Sequence, residues 1–245
     1  MIGLGAAITL LTRLPIGPLA APRPQQALPW FPAVGAVIGV VAAAVYAAGS
    51  LAMSPLLAAA LAVATTVLLT GALHEDGLAD AADAWGGATT REQALRILRD
   101  PQHGTYGVLA IALSVVVRVA ALASLTPTAA ITVLPVVHAA SRGVLPAMLW
   151  VSPPARRDGL ASELASEVSG HAVGLSLVVT LAIGGVLVAL WIIPAALVAA
   201  GLAALVRWLA MRRIGGITGD VLGAAQQLVE VALLVLLAAG AAASR

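Results

Sequence analysis

The sequence has no cysteine and no lysine, and it is poor in aromatic and charged residues. Without cysteine, neither a disulfide framework nor a thiolate metal site can form. Charged residues make up 10% of the 245 residues, whereas a soluble domain has about 25%. All 13 basic residues are arginines, no basic run exceeds two residues, and aromatic residues are 3%. Because a nucleic-acid-binding surface combines clustered basic and aromatic side chains, we expect no nucleic acid partner.

Hydrophobic residues are abundant, at 61% of the chain with a mean hydropathy of +1.03. A helix needs about 20 apolar residues to cross the hydrocarbon core of a bilayer. Seven windows meet this requirement: 31–49, 55–73, 107–125, 129–151, 172–193, 195–211 and 221–243. We therefore predict an all-α polytopic membrane protein with the lipid bilayer as a partner. It is a single integral membrane domain, 1–245, with about seven transmembrane helices and short interfacial helices.

Three shorter stretches complete the predicted architecture. Residues 2–12 are too few to span and lack the basic start of a signal peptide, so we expect an interfacial or partly inserted helix. The window 195–211 is the shortest and the least secure span. The stretch "TTREQALRILRD", residues 89–100, places Gln93 three residues after Thr90, which is a capping box. It predicts a short amphipathic surface helix that either anchors to anionic headgroups or contributes to a substrate site.

Charge alternates between successive connections. Nearly all charges lie in the N-terminal segment, with Arg13 and Arg23, or in the connections 74–106, 152–171 and 212–220. The connections 50–54, 126–128 and Pro194 have none. With seven spans, all charged connections fall on one side of the membrane, and short arginine-rich loops stay in the cytoplasm. We therefore predict a multi-pass cell membrane protein with a cytoplasmic N-terminus and acidic segment, and with its C-terminus outside.

Carboxylates cluster in "TGALHEDGLADAADAWGG", residues 70–87, directly after an uncharged run. Asp76, Asp80 and Asp83 follow the spacing i, i+4, i+7, which places them on one helix face. Three carboxylates on one face repel each other unless a cation lies among them, and oxygen ligands favour Mg²⁺, Mn²⁺ or Ca²⁺. Mg²⁺ commonly completes its coordination with water and substrate phosphates. The pattern predicts a divalent-cation site for a phosphorylated substrate, the alternative being a solvated acidic loop. His74 and Glu75 are candidates for ligand, general base or outward polar residue.

Ionisable residues also lie inside the hydrophobic windows, at Arg118, His138, Arg142 and Glu230. Such residues are costly in a bilayer and indicate function by default. Arg142 and Glu230 both lie roughly 13 Å from the charged end of the bundle at 1.5 Å per residue, so we expect that they can pair. Two interpretations remain: an ion pair that holds the bundle together, or a cavity in which arginine reaches a phosphate. The scarcity of polar side chains in the outer half disfavours a transporter.

The last charged connection is "RRIGGITGD", residues 212–220. Glycine-rich backbone entering a helix presents free N–H groups that can bind an anion. Thr218 and Asp220 directly precede the last window. Asp220 either completes the metal site or caps the helix after a flexible turn.

Four stretches together resemble one known family. "HEDGLADAADAWGG" is similar to the H-x-D-G-x-x-D-x-x-D signature of the cobalamin synthase family, also called adenosylcobinamide-GDP ribazoletransferase. "LTRLPIG", "ILRDPQHGTYG" and "GGITGDVLGAAQQLVE" resemble that family's opening, its segment with a basic residue, Asp and G-T-x-G, and its C-terminal segment. The four matches occur in order and span most of the chain.

The resemblance implies an integral membrane, Mg²⁺-dependent enzyme of cobalamin biosynthesis. It would join adenosylcobinamide-GDP to α-ribazole or its 5′-phosphate, giving adenosylcobalamin or its phosphate and GMP. Such phosphoryl transfers depend mainly on positioning and charge stabilisation. The departures from the family pattern are Ala84 in place of glycine, Arg99 in place of lysine, and "PQH" without the expected arginine. The last departure weakens any role for Gln102 or His103.

The residues that match the family motifs supply the predicted site. The predicted metal ligands are Asp76, Asp80, Asp83 and Asp220. The predicted catalytic residues are His74, Glu75 and Asp83, and the general base remains open among His74, Glu75 and the aspartates. The predicted substrate-binding residues are Arg99, Asp100, Thr105, Arg142 and Thr218.

Three other functions remain as alternatives. A CDP-alcohol phosphotransferase pairs D-G with A-R and two later aspartates, but here Asp80 follows Ala79 and no later G-x-x-x-D-x-x-x-D occurs. A cation or small-molecule transporter would take up its substrate without chemical turnover. A non-catalytic scaffold would leave the clustered carboxylates unexplained. The sequence leaves open the number of metal ions and whether the chain forms a homo-oligomer.

Overall fold

The computed structural model describes residues 2–16, 24–166 and 168–243, and it is helical with no named strand in these ranges. Arg23 and Gly17, which belong to the predicted cytoplasmic charges and to the opening motif, lie outside them. Two 3₁₀ helices lie at Pro24–Trp30 and Ala189–Trp191. The helices are α1 Ile2–Leu11, α2 Phe31–Gly49, α3 Pro55–Thr70, α4 Leu73–Gly87, α5 Arg91–Ile97, α6 Thr105–Ala123, α7 Pro127–Gly143, α8 Leu145–Trp150, α9 Leu160–Ala165, α10 Gly170–Leu187, α11 Ile192–Ile214 and α12 Gly219–Ala243.

The predicted polytopic membrane bundle is confirmed. Within the described part of the chain, six helices are long and apolar enough to cross a membrane: Gln25–Gly49, Thr105–Ala123, Pro127–Trp150, Gly170–Leu187, Ala189–Ile214 and Gly219–Ala243. They correspond to six of the seven predicted windows, including the least secure one. The number becomes seven if α3 and α4 count as one broken span. α1 is a ten-residue apolar helix, too short to cross.

The predicted span 55–73 differs from the structure at its end, where the chain bends by 89° between α3 and α4. Gly71 (φ 67°) and Ala72 (φ 57°) both adopt the left-handed conformation. Glycine takes this conformation without steric cost and commonly ends a helix. A Cβ on Gly71 would overlap the side chain of Arg13. The acidic stretch therefore forms a separate helix, α4, which turns away from the direction of α3.

Small residues allow close helix packing at two crossings. Gly35 and Gly39 of α2 pack so tightly against α7 that a Cβ on either would overlap a backbone carbonyl of that helix. At the second crossing, a Cβ on Gly77 of α4 would lie 2.8 Å from the Asp220 carbonyl oxygen and 3.1 Å from the Cα of Gly223, in α12. Close backbone approach is what small residues permit in membrane bundles. The second crossing brings the acidic face of α4 beside the start of α12.

The charged connections meet at one end of the bundle, as the alternation of charges predicts. Arg91 Nε donates to the Ile214 carbonyl oxygen at 2.9 Å. Arg99 Nη2 lies 2.8 Å from Asp158 Oδ2. The backbone N–H of Ala155 donates to the Ile217 carbonyl oxygen at 2.9 Å. These bonds join the connections after α4, α8 and α11 into one layer at the end of the bundle where Asp220 lies beside α4.

The capping box before α5 is present with one change of partner. Thr90 Oγ1 accepts from the Gln93 N–H at 3.2 Å, as predicted. The Gln93 side chain instead reaches back to Thr89, whose N–H and hydroxyl donate to its Oε1 at 3.0 and 3.1 Å. Both residues therefore fix the start of α5.

Candidate active site

The acidic site is the group formed by Asp76, Asp80 and His103. The two aspartates lie one turn apart on α4, and His103 lies in the loop before α6. His103 Nδ1 is 3.3 Å from Asp80 Oδ1, and His103 Nε2 is 3.6 Å from Asp76 Oδ1. One ligand atom from each side chain lies within 4.8 Å of the other two, so the group is compact enough to hold a metal ion. No other group of three such ligands meets this distance in the ranges that the structure describes.

The electrostatics of the acidic site favour a bound cation. Burial, followed by the charges of Asp76 and Asp220, raises the pKa of Asp80 to about 6. This carboxyl belongs to α4, outside the six long apolar helices, and a neighbouring cation would stabilise its charged form. Two carboxylates suit Mg²⁺, which keeps further positions for water and phosphate oxygens, and imidazole is a ligand for several softer metals. The residues present therefore fit the predicted Mg²⁺ through Asp76 and Asp80.

Asp83 lies on the same helix but faces the start of α6. Its Oδ2 accepts from the Gly104 N–H at 2.6 Å, and its Oδ1 accepts from the Gly107 N–H at 2.9 Å. Both oxygens thus satisfy backbone donors at a helix N-terminus, where negative charge is favourable. This contact also fixes the loop that carries His103. The structure places Asp83 in a structural contact beside the acidic site, and its predicted metal and catalytic roles stay predictions.

Glu75 and His74 point inward from the first turn of α4. Glu75 is buried, and its Oε1 accepts from Arg118 Nη1 at 3.0 Å and from Gln227 Nε2 at 3.2 Å. His74 is 4% exposed and has a buried Nδ1 without a hydrogen-bond partner. The structure therefore separates Glu75 from the exposed side chain of Asp76, whereas His74 and Asp76 line the same cavity. Their predicted catalytic roles stay predictions.

The buried network is the set of polar side chains that surround Glu230 inside the bundle. Glu230 lies 3.2 Å from Arg142 Nη1, 3.1 Å from Arg118 Nη1 and 3.1 Å from His138 Nδ1. The members are Glu75, Arg118, His138, Ser141, Arg142, Gln226, Gln227 and Glu230, all of them buried. The expected pairing of Arg142 with Glu230 is confirmed. Arg142, predicted to contact substrate, is held inside this network.

A cavity of about 250 Å³ opens beside the acidic site, and we call it the leucine cavity. Its polar edge includes Asp76, Asp220 and Arg156. Arg156 Nη2 lies 3.6 Å from Asp220 Oδ2, and its side chain is 21% exposed. Thr218 Oγ1 donates to Asp220 Oδ2 at 3.1 Å and accepts from the Val221 N–H at 3.3 Å, which caps α12. Asp220 thus lies at the edge of this cavity, and the buried Thr218 holds its carboxylate from behind.

The remaining predicted substrate residues lie on exposed connections. Arg99 pairs with Asp158, and both side chains are mostly exposed. Asp100 Oδ1 accepts from the Gln102 N–H at 3.0 Å. Thr105 is the exposed first residue of α6. None of these contacts joins them to the acidic site, so their substrate roles stay predictions.

Sequence reasoning missed two residues of this region, His103 and Arg156. His103 stands in the segment that departs from the family pattern, so it received no role. Its position directly before the Gly104–Thr105 helix start was the available signal, because any residue that holds this start near α4 also holds His103 near Asp80. Arg156 belongs to an arginine pair in a charged connection, and that signal does not distinguish it from its neighbour Arg157.

Comparisons with known proteins agree over nearly the whole chain. A family model described as cobalamin-5-phosphate synthase matches residues 3–238. An adenosylcobinamide-GDP ribazoletransferase of Bradyrhizobium diazoefficiens is 42% identical, with 95% of this chain and 92% of the relative covered. The protein of that name from Pseudomonas aeruginosa is 40% identical, with 95% and 96% covered, and that of Rhizobium meliloti is 44% identical, with 85% and 83% covered. No solved structure matches the chain.

Proposed function

Since the chain belongs to the cobalamin-5-phosphate synthase family and has the adenosylcobinamide-GDP ribazoletransferase activity of that family, we propose that the transfer takes place at the acidic site with Mg²⁺ bound there. One observation carries this proposal. Asp76 belongs both to the compact metal-ligand group and to the edge of the leucine cavity. A metal ion and an organic substrate can therefore meet at one carboxylate.

Asp76 and Asp80 would hold the metal ion, with His103 and Asp220 close by. Mg²⁺ would supply positive charge to diphosphate oxygens, which carry the developing charge of a phosphoryl transfer. The chain itself supplies Arg156 at the same edge. Its guanidinium can bind phosphate oxygens with two parallel hydrogen bonds. We assign the phosphate contact to Arg156 because Arg142 is committed to Glu230.

The reaction exchanges one phosphorus–oxygen bond for another. A hydroxyl oxygen of ribazole forms a bond to the phosphorus that carries the cobinamide arm, the bond from that phosphorus to the bridging oxygen breaks, and GMP leaves. The hydroxyl proton passes to a base. We place this base in the acidic site, because the carboxylate of Glu75 is held by Arg118 and Gln227. The site's task is to align the two substrates and balance their charge.

We further propose that the acidic site faces the cytoplasm, with the N-terminus inside and the C-terminus outside, which requires the bent pair α3 and α4 to supply a seventh crossing. The meeting of the arginine-containing connections at one end of the bundle supports this orientation, because such loops are retained in the cytoplasm. No nucleic acid partner is proposed, in keeping with the sparse aromatic and basic residues. A homo-oligomer stays a prediction.

The direct test is an assay of the purified protein in detergent or liposomes. Adenosylcobinamide-GDP is incubated with α-ribazole or its 5′-phosphate, and the nucleotide products are resolved. We expect one GMP for each cobalamin product with Mg²⁺ present and none with a chelator. A CDP-linked alcohol serves as the control donor, and we expect no CMP from it. Absence of GMP would remove the proposed function, whereas GMP release that survives complete removal of divalent ions would remove only the metal.

A further inference from the structure

The leucine cavity has apolar walls and a single polar edge. Its walls come from six helices and consist mainly of Phe31 and leucines, together with His74, Gly219 and Gly223. The leucines are Leu10, Leu11, Leu73, Leu145, Leu160, Leu164 and Leu222. The charged side chains at its lining, Asp76, Arg156 and Asp220, are those that surround the proposed chemistry. A ligand in this cavity therefore has a hydrophobic body, and it presents a polar part to the acidic site.

The size of the cavity limits which part of the substrates it can hold. At about 250 Å³ it is smaller than the roughly 300–1,000 Å³ of sites that enclose drug-sized ligands. A corrinoid macrocycle exceeds that class, so it has to lie outside. One fused aromatic ring system fits the scale. The remaining choices are the guanine of the nucleotide and the base of ribazole.

The chemistry of the walls separates these two bases. Guanine carries several hydrogen-bond donors and acceptors on two edges. Of the wall residues only His74 has a polar side chain, so burial against the leucines would leave most of these groups without partners, at substantial cost. The ribazole base is a benzimidazole with methyl groups on its outer ring, and its surface is nearly all hydrocarbon. Burial of such a surface is favourable in proportion to its area. The ribose on its other side would then reach Asp76 and Arg156.

We propose that the leucine cavity is the subsite for the benzimidazole base of ribazole. This inference rests on the proposed function and specifies how its acceptor substrate is oriented. The base enters between α1, α9 and the start of α12, and its ribose hydroxyls lie toward the acidic site. The nucleotide and the macrocycle of the donor lie outside this cavity.

A substitution at Gly219 can fill the cavity with a side chain. It lines the cavity as the first residue of α12, and a Cβ built there has no protein atom within 4 Å. Gly219→Leu therefore adds a side chain to open space without displacing protein atoms at its Cβ. Gly201→Leu in α11 is the matched control, because a Cβ on Gly201 likewise has no atom within 4 Å and this residue does not line the cavity.

The experiment measures steady-state kinetics for both substrates, together with ribazole binding by equilibrium dialysis. We expect Gly219→Leu to raise the KM for ribazole by about tenfold or more, the scale of a mismatch in an apolar pocket, with the KM for adenosylcobinamide-GDP within about twofold. Ribazole binding should weaken in parallel, and Gly201→Leu should match the wild type. Equilibrium dialysis measures ribazole binding without catalysis, so the test still decides the question if Gly219→Leu lowers turnover by disturbing its neighbour Asp220.

Leu160→Ala supplies the opposite change. It enlarges the cavity from α9, so we expect it to improve the use of ribazole analogues with larger alkyl groups on the outer ring, relative to ribazole itself. A higher KM for the GDP substrate alone in Gly219→Leu would assign the cavity to guanine and overturn the proposal. Unchanged ribazole KM and binding in both variants would also overturn it. The proposed function fails separately, if the wild type releases no GMP.

Discussion

Glu75 and Asp76 are neighbours in the chain, yet they belong to charged regions of opposite construction. Glu75 is buried and receives hydrogen bonds from Arg118 and Gln227. Asp76 is exposed, and the imidazole Nε2 of His103 lies 3.6 Å from its Oδ1. The buried network balances its carboxylates with two arginines, Arg118 and Arg142. The acidic site has no comparable arginine among its three members.

The difference separates charged residues that stabilise the bundle from charged residues that are available to bind a ligand. Inside the bundle an unpaired ion is very costly, so each carboxylate has an arginine partner. At the charged end water is available, so carboxylates can remain without a partner until a cation or substrate arrives. The helix start at Leu73 and the 89° bend set this division, because they direct one residue into the bundle and the next toward its edge.

Removal of a carboxylate from the acidic site should have the largest effect on activity. We expect Asp76→Asn and Asp80→Asn each to lower Mg²⁺-dependent GMP release by about a hundredfold or more, since a lost metal ligand costs at least as much as a lost supporting residue. Thermal unfolding in detergent should change little. Glu92→Gln on the exposed face of α5 is the control and should keep full activity. Near-normal turnover in both aspartate variants would contradict the metal site.

Removal of a carboxylate from the buried network should act on stability instead. Glu230→Gln leaves Arg142 and Arg118 without their shared partner, and breaking a buried pair costs about 3–5 kcal/mol. We expect a clearly lower unfolding temperature in detergent, measured by a fluorescence or light-scattering melt. Glu163→Gln, an exposed residue of α9, should melt as the wild type does. An unchanged melt for Glu230→Gln would show that the network is not structural.

The contact between α4 and α12 joins the two regions, and a side chain there should disturb both moderately. A Cβ on Gly77 would lie 2.8 Å from the Asp220 carbonyl oxygen, so Gly77→Val forces the helices apart. We expect a cost of about 1–3 kcal/mol and a higher Mg²⁺ concentration for half-maximal activity. Gly174→Val is the control, since a Cβ there meets no atom within 4 Å. If both variants show the same Mg²⁺ dependence, the contact between α4 and α12 does not affect the acidic site.

The smallest effect should come from the exposed pair of Arg99 and Asp158. Because both side chains are mostly exposed, we expect Arg99→Gln to change the free energy of unfolding by less than about 1 kcal/mol. Chemical denaturation checks this value, with Asp158→Asn as the partner variant. Kinetics on the same protein test the predicted substrate role of Arg99. If the KM for the GDP substrate rises several-fold in Arg99→Gln but not in Asp158→Asn, the result supports a substrate contact by Arg99.

The helices and their order could be predicted from the sequence because hydrophobic length is a local property. Windows such as 221–243 and 107–125 match α12 and α6 within two residues at each end. The end of α3 was missed although Gly71 is the only glycine in the run 55–73, because glycine also occurs frequently inside membrane-spanning helices. Asp83 illustrates the same limit for the site. It lies seven residues after Asp76 on the same helix, as predicted, but both of its carboxylate oxygens accept hydrogen bonds from backbone N–H groups of Gly104 and Gly107.

By itself the sequence determined the membrane class, the family, the concentration of charge at one end of the bundle and the pairing of Arg142 with Glu230. The family follows from the resemblance of four sequence motifs, and the other three follow from composition, helix length and spacing along the chain. Only the tertiary structure decided that His103 lies close to Asp76 and Asp80, that Glu75 points into the bundle, and that Arg156 lies at the edge of an apolar cavity. These arrangements depend on which loops meet, and loop contacts follow from close packing at Gly77 and Gly223 rather than from any local pattern.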